Sequence, residues 1–457
     1  LSVRQNMKNI FLAFSIIFSI VFSSACVDKG ANSTTTTGGE GSGDIKVGVY
    51  GDTSGATSSF GQSTKNGIQL AFEEINAAGG VNGRKLIMIF EDDQGRPEQA
   101  KTVVSKLINQ DKVQALLGEV ASTNSLAAAP VAQDAKIPMI TPSSTNPKVT
   151  EVGDYISRVC FIDPFQGSVM ARFSANTLKA KTAAIIGDVN SDYSKGLTAV
   201  FEQEFTKLGG QVVAKEAYTQ TDPDFKGQLT KIRNLKPDVI YIPGYYGQVG
   251  IIAKQARELD MNMPLLGGDG WDSPDLWKLG GEALKNAFIS NHYSADNPAP
   301  EIQNFVKAYQ AKFSVAPDSL AALAYDAAKV LADAIKRAGG TDSAKLKDAI
   351  NATKEFKGVT GSITLDASRN AVKPAVVLEL SPAESKFTFK ETIYPEGMSA
   401  PTNTNTNSSM NMNSMSGGNM NSNSMTGGNM NSNVSSGSNM SMNSNSANSS
   451  AMNANMR

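Results

Sequence analysis

Between Ile45 and Gly267 the chain repeats one unit, an apolar strand followed by an amphipathic helix, in two runs that divide at Asp163-Pro164. In the first run strands fall at 45–50, 85–91, 115–117 and 139–140, with helices at 64–78, 97–110 and 125–134. The helix at 64–78 sets Ile68, Ala71, Phe72 and Ile75 on one face and stops at Gly79-Gly80. The second run has helices at 166–178, 194–208, 225–235 and 248–259 among strands at 182–187, 212–217, 239–242 and 264–267. Strands alternating with helices imply parallel sheets, so the fold class is α/β. A folded region from Asp44 to Pro395 exceeds the ~250 residues at which one core stops growing, so two lobes with a cleft are expected. The strand at 288–292 reads as a return crossing between lobes, followed by helices at 301–313, 320–338 and 343–353 and a β-rich end at 362–392.

Two strands of the first run end in loops of small hydroxyl residues. One is Leu117-Gly118-Glu119-Val120-Ala121-Ser122-Thr123, and the second is Ile140-Thr141-Pro142-Ser143-Ser144-Thr145-Asn146-Pro147. In an open α/β sheet such loops lie at the carboxyl ends of the strands, beside helix N-termini, where ligands bind. Hydroxyls and free backbone N–H groups there suit a carboxylate. With the export signal below, the pair points to capture of a small zwitterion outside the cytoplasm.

Lys8, the apolar run Ile10–Phe22 and the small residues Ser23-Ser24-Ala25 make residues 1–26 a signal-bearing segment, with Met7 the expected initiator. Ser23-Ser24-Ala25-Cys26 resembles a bacterial lipobox, whose cysteine is diacylated; an ordinary signal cleaved near Ala25 is the alternative. Residues 27–43 read as a flexible tether rich in Gly, Ser and Thr. Residues 397–457, almost entirely Asn, Ser, Met, Gly and Thr, are expected to form a disordered tail, in which Met415–Asn423 recurs with one substitution as Met425–Asn433. Met410, Met412 and Met415 offer thioethers to Cu(I), but no His or Cys supports them and no metal is expected. The 42 Lys and Arg nearly balance the 43 Asp and Glu, which argues against a nucleic-acid partner. Cys160 is the only cysteine besides Cys26, so packing has to hold the fold, and its apolar neighbours mark it as a buried hydrophobe.

Six segments then follow one another in a telling order: Ile45 to Gly55 with its Ser-Gly turn, Ile75-Asn76-Ala77-Ala78-Gly79-Gly80-Val81-Asn82-Gly83, Glu91-Asp92-Asp93, Ile140-Thr141-Pro142, Asp238 to Gly250 with Gly244-Tyr245, and Gly268-Asp269-Gly270-Trp271. The series resembles the periplasmic binding proteins of branched-chain amino-acid ABC transporters, the leucine/isoleucine/valine-binding group with the type I fold. The resemblance implies two Rossmann-like lobes, 44–160 with 292–360 and 161–291 with 361–396, joined by a three-segment hinge near 159–163, 290–294 and 359–361. It implies that Ser122 and Thr145, with backbone groups around Val120 and Ser143, hold the ligand's α-carboxylate and part of its ammonium. Asp269 falls where leucine-binding relatives use a glutamate against the ammonium, Tyr193 and Tyr245 where tyrosines line the cleft, and Phe60 where an aromatic closes over the ligand. Trp271 packs either on the ligand side or in the core. The family's default ligand is Leu, Ile or Val, although other members take aromatic, acidic or small-amide ligands. No cofactor is implied. The implied partners are an ABC permease with its ATPase and, through the lipid anchor, the membrane, at the periplasm or cell surface.

Three rival functions bear on the same residues. An enzyme would need a nucleophile and base, and the chain has one histidine, His292, and no phosphate loop; adjacent acids such as Asp92-Asp93 more commonly cap or solvate loops. A tethered sensor of amino acids or small amides would use the same lobes with a signalling partner. A surface-structural lipoprotein would act through its Asn/Met tail.

Overall fold

The structure, a computed structural model, describes residues 43–398. The Met7 start, Cys26, the tether to residue 42, and the tail from residue 399 with its methionines lie outside the described residues. The first lobe opens with β1 (Ile45–Gly51), α1 (Ser58–Ala77), β2 (Leu86–Asp92), α2 (Pro97–Asn109), β3 (Ala115–Leu117), α3 (Ser122–Asp134), β4 (Met139–Thr141), α4 (Lys148–Glu151) and β5 (Ile156–Arg158). Its sheet is parallel throughout, in the order β2-β1-β3-β4-β5. The second lobe contributes α5 (Asp163–Arg172), β6 (Thr182–Asp188), α6 (Asp192–Lys207), β7 (Gln211–Tyr218), α7 (Lys226–Leu235), β8 (Val239–Tyr241), α8 (Tyr246–Glu258), β9 (Leu265–Gly267), α9 (Pro274–Gly280) and β10 (Ala287–Asn291). The chain returns through α10 (Pro300–Phe313), α11 (Ser319–Ala338), α12 (Ser343–Asn351) and the hairpin β11 (Phe356–Gly358) and β12 (Gly361–Ile363). It ends on β13 (Ala375–Ser381) and β14 (Lys386–Ile393). The second sheet runs β7-β6-β8-β9-β10-β13-β14, parallel from β7 to β10 and antiparallel over its last two strands.

In both sheets the strand order reverses beside the first strand of the lobe, between β1 and β3 and between β6 and β8. Loops leaving such strands diverge and open a crevice, which is where ligands settle in doubly wound sheets. The two crevices face each other across the cleft.

The structure reassigns one strand and moves one expected crossing. The strand near 288–292 is an internal strand of the second sheet, paired to β9 and β13, so the return begins only at His292. The third crossing was expected at 361, but Ile363, Leu365 and Ala371 pack into the first-lobe core with Ile45, Leu331 and Leu346. The chain therefore leaves the first lobe at 372–374, just before β13. Lys373, buried at this crossing, donates to Thr360 Oγ1 at 2.5 Å, and Asp326 of α11 accepts from the Val359 and Thr360 N–H groups at 2.7 and 2.8 Å. Helix α1 begins at Ser58 rather than at 64. Its first turn is polar and Gly-bearing, which hides it from a periodicity search. Gly61 there lies so close to the preceding turn that a Cβ would sit 2.0 Å from the Asp52 carbonyl oxygen.

The first crossing carries a buried acid. Asp163 opens α5, its N–H donates to the Thr145 carbonyl at 2.9 Å, and burial pushes its carboxyl up to about 8. A carboxyl raised in the folded state stabilises the fold at acid pH, and that contribution is lost as pH rises through the folded value. The unliganded protein is accordingly expected to lose thermal stability from about pH 5 to about pH 8, and Asp163→Asn to flatten that decline, as scanning calorimetry across the range will read. A decline unchanged in the Asn variant would remove Asp163 as its source.

Candidate functional site

Six loops converge between the lobes: those after β1, β3 and β4 from the first, and those after β6, β8 and β9 from the second. They enclose a small cavity of about 10 Å³ lined by Phe60, Val120, Ser143, Tyr193, Tyr245, Asp269, Gly270 and Leu320. With the lobes in contact this leaves room for about one water, so a larger solute enters only when they part.

The first-lobe wall is neutral, rich in hydroxyls and backed by a cation. Along Thr141–Thr145 the hydroxyls divide into two sets. Thr141 Oγ1 and Ser144 Oγ donate to the Glu119 carbonyl at 2.6 and 2.8 Å and brace the two loops together. Ser143 Oγ and Thr145 Oγ1 are buried without a protein partner. Ser122 begins α3, and its hydroxyl accepts from the Asn146 N–H at 3.2 Å. Beneath the loop, fully buried Arg158 donates to the carbonyls of Ser144, Asn146 and Pro147. Its guanidinium charge and the α3 N-terminus both favour an anion in front of them.

The second-lobe wall is anionic. Asp269 follows β9, is 3% exposed, and has both carboxylate oxygens engaged: Gln166 Nε2 and Tyr193 Oη donate to Oδ1 at 2.7 and 2.8 Å, and His292 Nε2 lies 2.9 Å from Oδ2. Burial lowers the His292 pKa, so the ring is neutral near pH 7 and its Nε2–H is the donor. Three uncharged donors converge on the carboxylate and leave lone pairs on its oxygens for a further donor. Tyr193 stacks on Tyr245 at 5.2 Å between ring centroids, which fixes the phenol that holds Asp269.

The lobes are closed on one another. Phe60 meets Tyr245 and Tyr246 edge-on at 5.6 and 5.0 Å, Ser59 Oγ lies 2.8 Å from Ser273 Oγ, and Asn146 Nδ2 donates to the Asp192 carbonyl at 2.9 Å. Near the return crossing, Asp272 Oδ2 accepts from Asn291 Nδ2 and from the Ser319 N–H, both at 2.8 Å.

Of the residues expected at the site, Phe60, Val120, Ser143, Tyr193, Tyr245 and Asp269 line one cavity, while Ser122 and Thr145 stand in the loops that form its wall. Trp271 does not reach it. The indole is fully buried in the second-lobe core, donates from Nε1 to the Ile242 carbonyl at 3.0 Å, and occupies the space a Cβ on Gly267 would take. Sequence reasoning missed Leu320, Gln166 and Arg158 as site residues and gave His292 no part in binding. Leu320 reaches the cleft from α11, far in sequence from the loops it joins, and no local pattern announces it. Arg158 had a signal, a lone cation inside the apolar run from Ile156 to Ile162.

The sequence profile of the periplasmic binding protein family matches residues 44–384. The chain belongs to that family. A leucine-binding protein from Thermotoga maritima of known structure is 40% identical and superposes with a TM-score of 0.74, covering 78% of this chain and all of that one. The branched-chain amino-acid transporter substrate-binding protein of Streptococcus pneumoniae, solved with isoleucine, is 34% identical with a TM-score of 0.73, covering 77% of this chain and all of that one. An amino-acid-binding protein of Pseudomonas aeruginosa is 35% identical over 306 residues, 66% of this chain and 81% of that protein. Like other periplasmic binding proteins, this family member has two lobes built for an extracytoplasmic solute, and the matched span takes in every residue of the cleft described above.

Proposed function

We propose that this chain captures a free amino acid, of the branched-chain type, between its closing lobes and delivers it to an ABC permease and ATPase, held at the membrane by a diacylated Cys26. The observation that carries the reading is the polarity of the cavity. A wall of hydroxyls, helix-start N–H groups and a buried Arg158 in one lobe opposes the Asp269 carboxylate in the other. A zwitterion satisfies both walls at once, whereas a simple acid or amine satisfies one. Val120, Leu320, Phe60 and Tyr245 leave an apolar remainder that fits an aliphatic side chain. Each lobe grips one end of such a ligand, so contacts complete only on closure, and binding shifts the open–closed balance. Hinging falls on the crossings at 159–163, 292–294 and 372–374. The likeness to proteins solved or named with leucine and isoleucine supports the side-chain class.

Thermal unfolding of the full-length chain, refolded to strip bound solute, against the twenty amino acids, small amides and aromatic acids tests this. At 100 times its Kd a ligand stabilises the fold by about 2.7 kcal/mol. Leu, Ile or Val is expected to raise the midpoint. A rise with aromatic acids or amides alone would discard the amino-acid reading.

A further inference from the structure

His292 is the only histidine of the chain, and the structure buries it at a joint. It is the first residue after β10, where the chain leaves the second lobe. Its ring stacks on Phe161 of the first crossing, with centroids 3.8 Å apart and planes 22° from parallel. Its single side-chain hydrogen bond goes to Asp269 Oδ2 at 2.9 Å, and Nδ1 has no protein partner. Buried polar groups are nearly always paired, and a histidine retained only to fill space would leave an unsatisfied nitrogen for no gain. Its one bond to the cleft carboxylate is what distinguishes it from an apolar filler.

We propose that His292 is a positioning residue of the ammonium site: by donating to Asp269 while stacked on Phe161, it sets the carboxylate toward the ligand and ties its orientation to two of the three crossings. This rests on Asp269 receiving an ammonium. Asp is one methylene shorter than Glu, so its reach depends on the turn and donors behind it, and His292 is the donor that comes from the hinge. When the lobes rotate, the Phe161–His292 pair moves with the crossings and Asp269 is drawn or released with it. The link runs both ways, since a ligand that orders Asp269 also orders the joint.

The arrangement has a pH signature. The charged groups that act on the ring are Asp269 from the turn after β9 and Lys373 from the third crossing, while Cys160 and Asp163 of the first crossing interact in turn with Asp269. A protonated imidazole would set a second cation against Asp269 and compete with the ligand's ammonium. Amino-acid affinity is therefore expected to hold above neutrality and to fall in acid, below the ordinary histidine range.

The test is calorimetric titration of the full-length chain with leucine and with its deaminated analogue 4-methylpentanoate. Wild type, His292→Gln and His292→Leu are compared from about pH 8 to about pH 5. Gln can present an N–H near the position of Nε2 but does not titrate. The expected result is a leucine Kd weakened about 10- to 100-fold in the Leu variant, the range one lost hydrogen bond to a charged group spans. The Gln variant is expected to bind within a few-fold of wild type and to lose the acid-side weakening. Equal affinity in the Leu variant and wild type would overturn the role. So would equal loss in both variants with matching falls in Tm, which marks a packing residue. Wild type that bound 4-methylpentanoate as well as leucine would overturn the ammonium reading of Asp269 itself, and it is read before any substitution is made.

Discussion

Asp269→Ala is expected to weaken leucine binding by at least about 100-fold, the effect of removing one partner from a buried ion pair of about 3–5 kcal/mol. The loss has two parts. The ligand's ammonium would enter a dry cavity with no counter-charge, and Gln166, Tyr193 and His292 would aim their donors at nothing. Asp269→Asn is expected to do nearly as badly, because an amide offers one acceptor oxygen where three donors converge and turns its own NH₂ toward one of them. Titration calorimetry on the three proteins measures this, with Tm confirming that each is folded. If the Asn variant binds leucine as tightly as wild type, the carboxylate is not the ammonium partner.

The second large effect belongs to Arg158. Arg158→Met keeps the length and apolar stem but strips the donors from the carbonyls of Ser144, Asn146 and Pro147. At about 1–3 kcal/mol for each buried acceptor left unpaired, a loss of about 3 kcal/mol or more in stability is expected. It should appear as a lower denaturant midpoint at unchanged slope. Ligand affinity should fall as well, because the Ser143–Thr145 loop loses its brace and the carboxylate end of the cavity loses its cation. A midpoint within error of wild type would show that the loop holds itself through Thr141 and Ser144 alone.

The sequence carried the lobes well and the joints poorly, for a physical reason. Strand–helix alternation is a local signal, and it located nearly all the elements of both sheets. Crossings are set by which core accepts each apolar residue. Ile363 and Leu365 look the same in a row of letters whichever lobe they enter, so the third crossing was misplaced by about ten residues. At the site, residues on loops right after strands were legible, because the carboxyl end of a parallel strand is where ligands gather. Asp269 stood between two glycines in such a loop. Trp271, two positions on, was ambiguous because a large aromatic serves core and cleft equally. Gln166 and His292 come to Asp269 from distant parts of the second lobe's sequence, and Leu320 of α11 joins the cavity only across the closed cleft. Short α4 and α9 escaped because fewer than eight residues cannot display a helical period.

The first lobe is built from both ends of the folded chain, and this bears on the order in which it acquires structure. Strand β1 belongs to the same core as Leu331 and Ile335, and α1 packs on α11 so closely that a Cβ on Gly67 would lie 2.2 Å from the Ala321 carbonyl oxygen. The earliest lobe to be synthesised is thus among the last to be completed, since its covering helix is nearly three hundred residues downstream. While a nascent chain of this kind lengthens, its leading half has yet to receive the helix that completes its core. With this connectivity the first lobe cannot complete its core until α11 has been made.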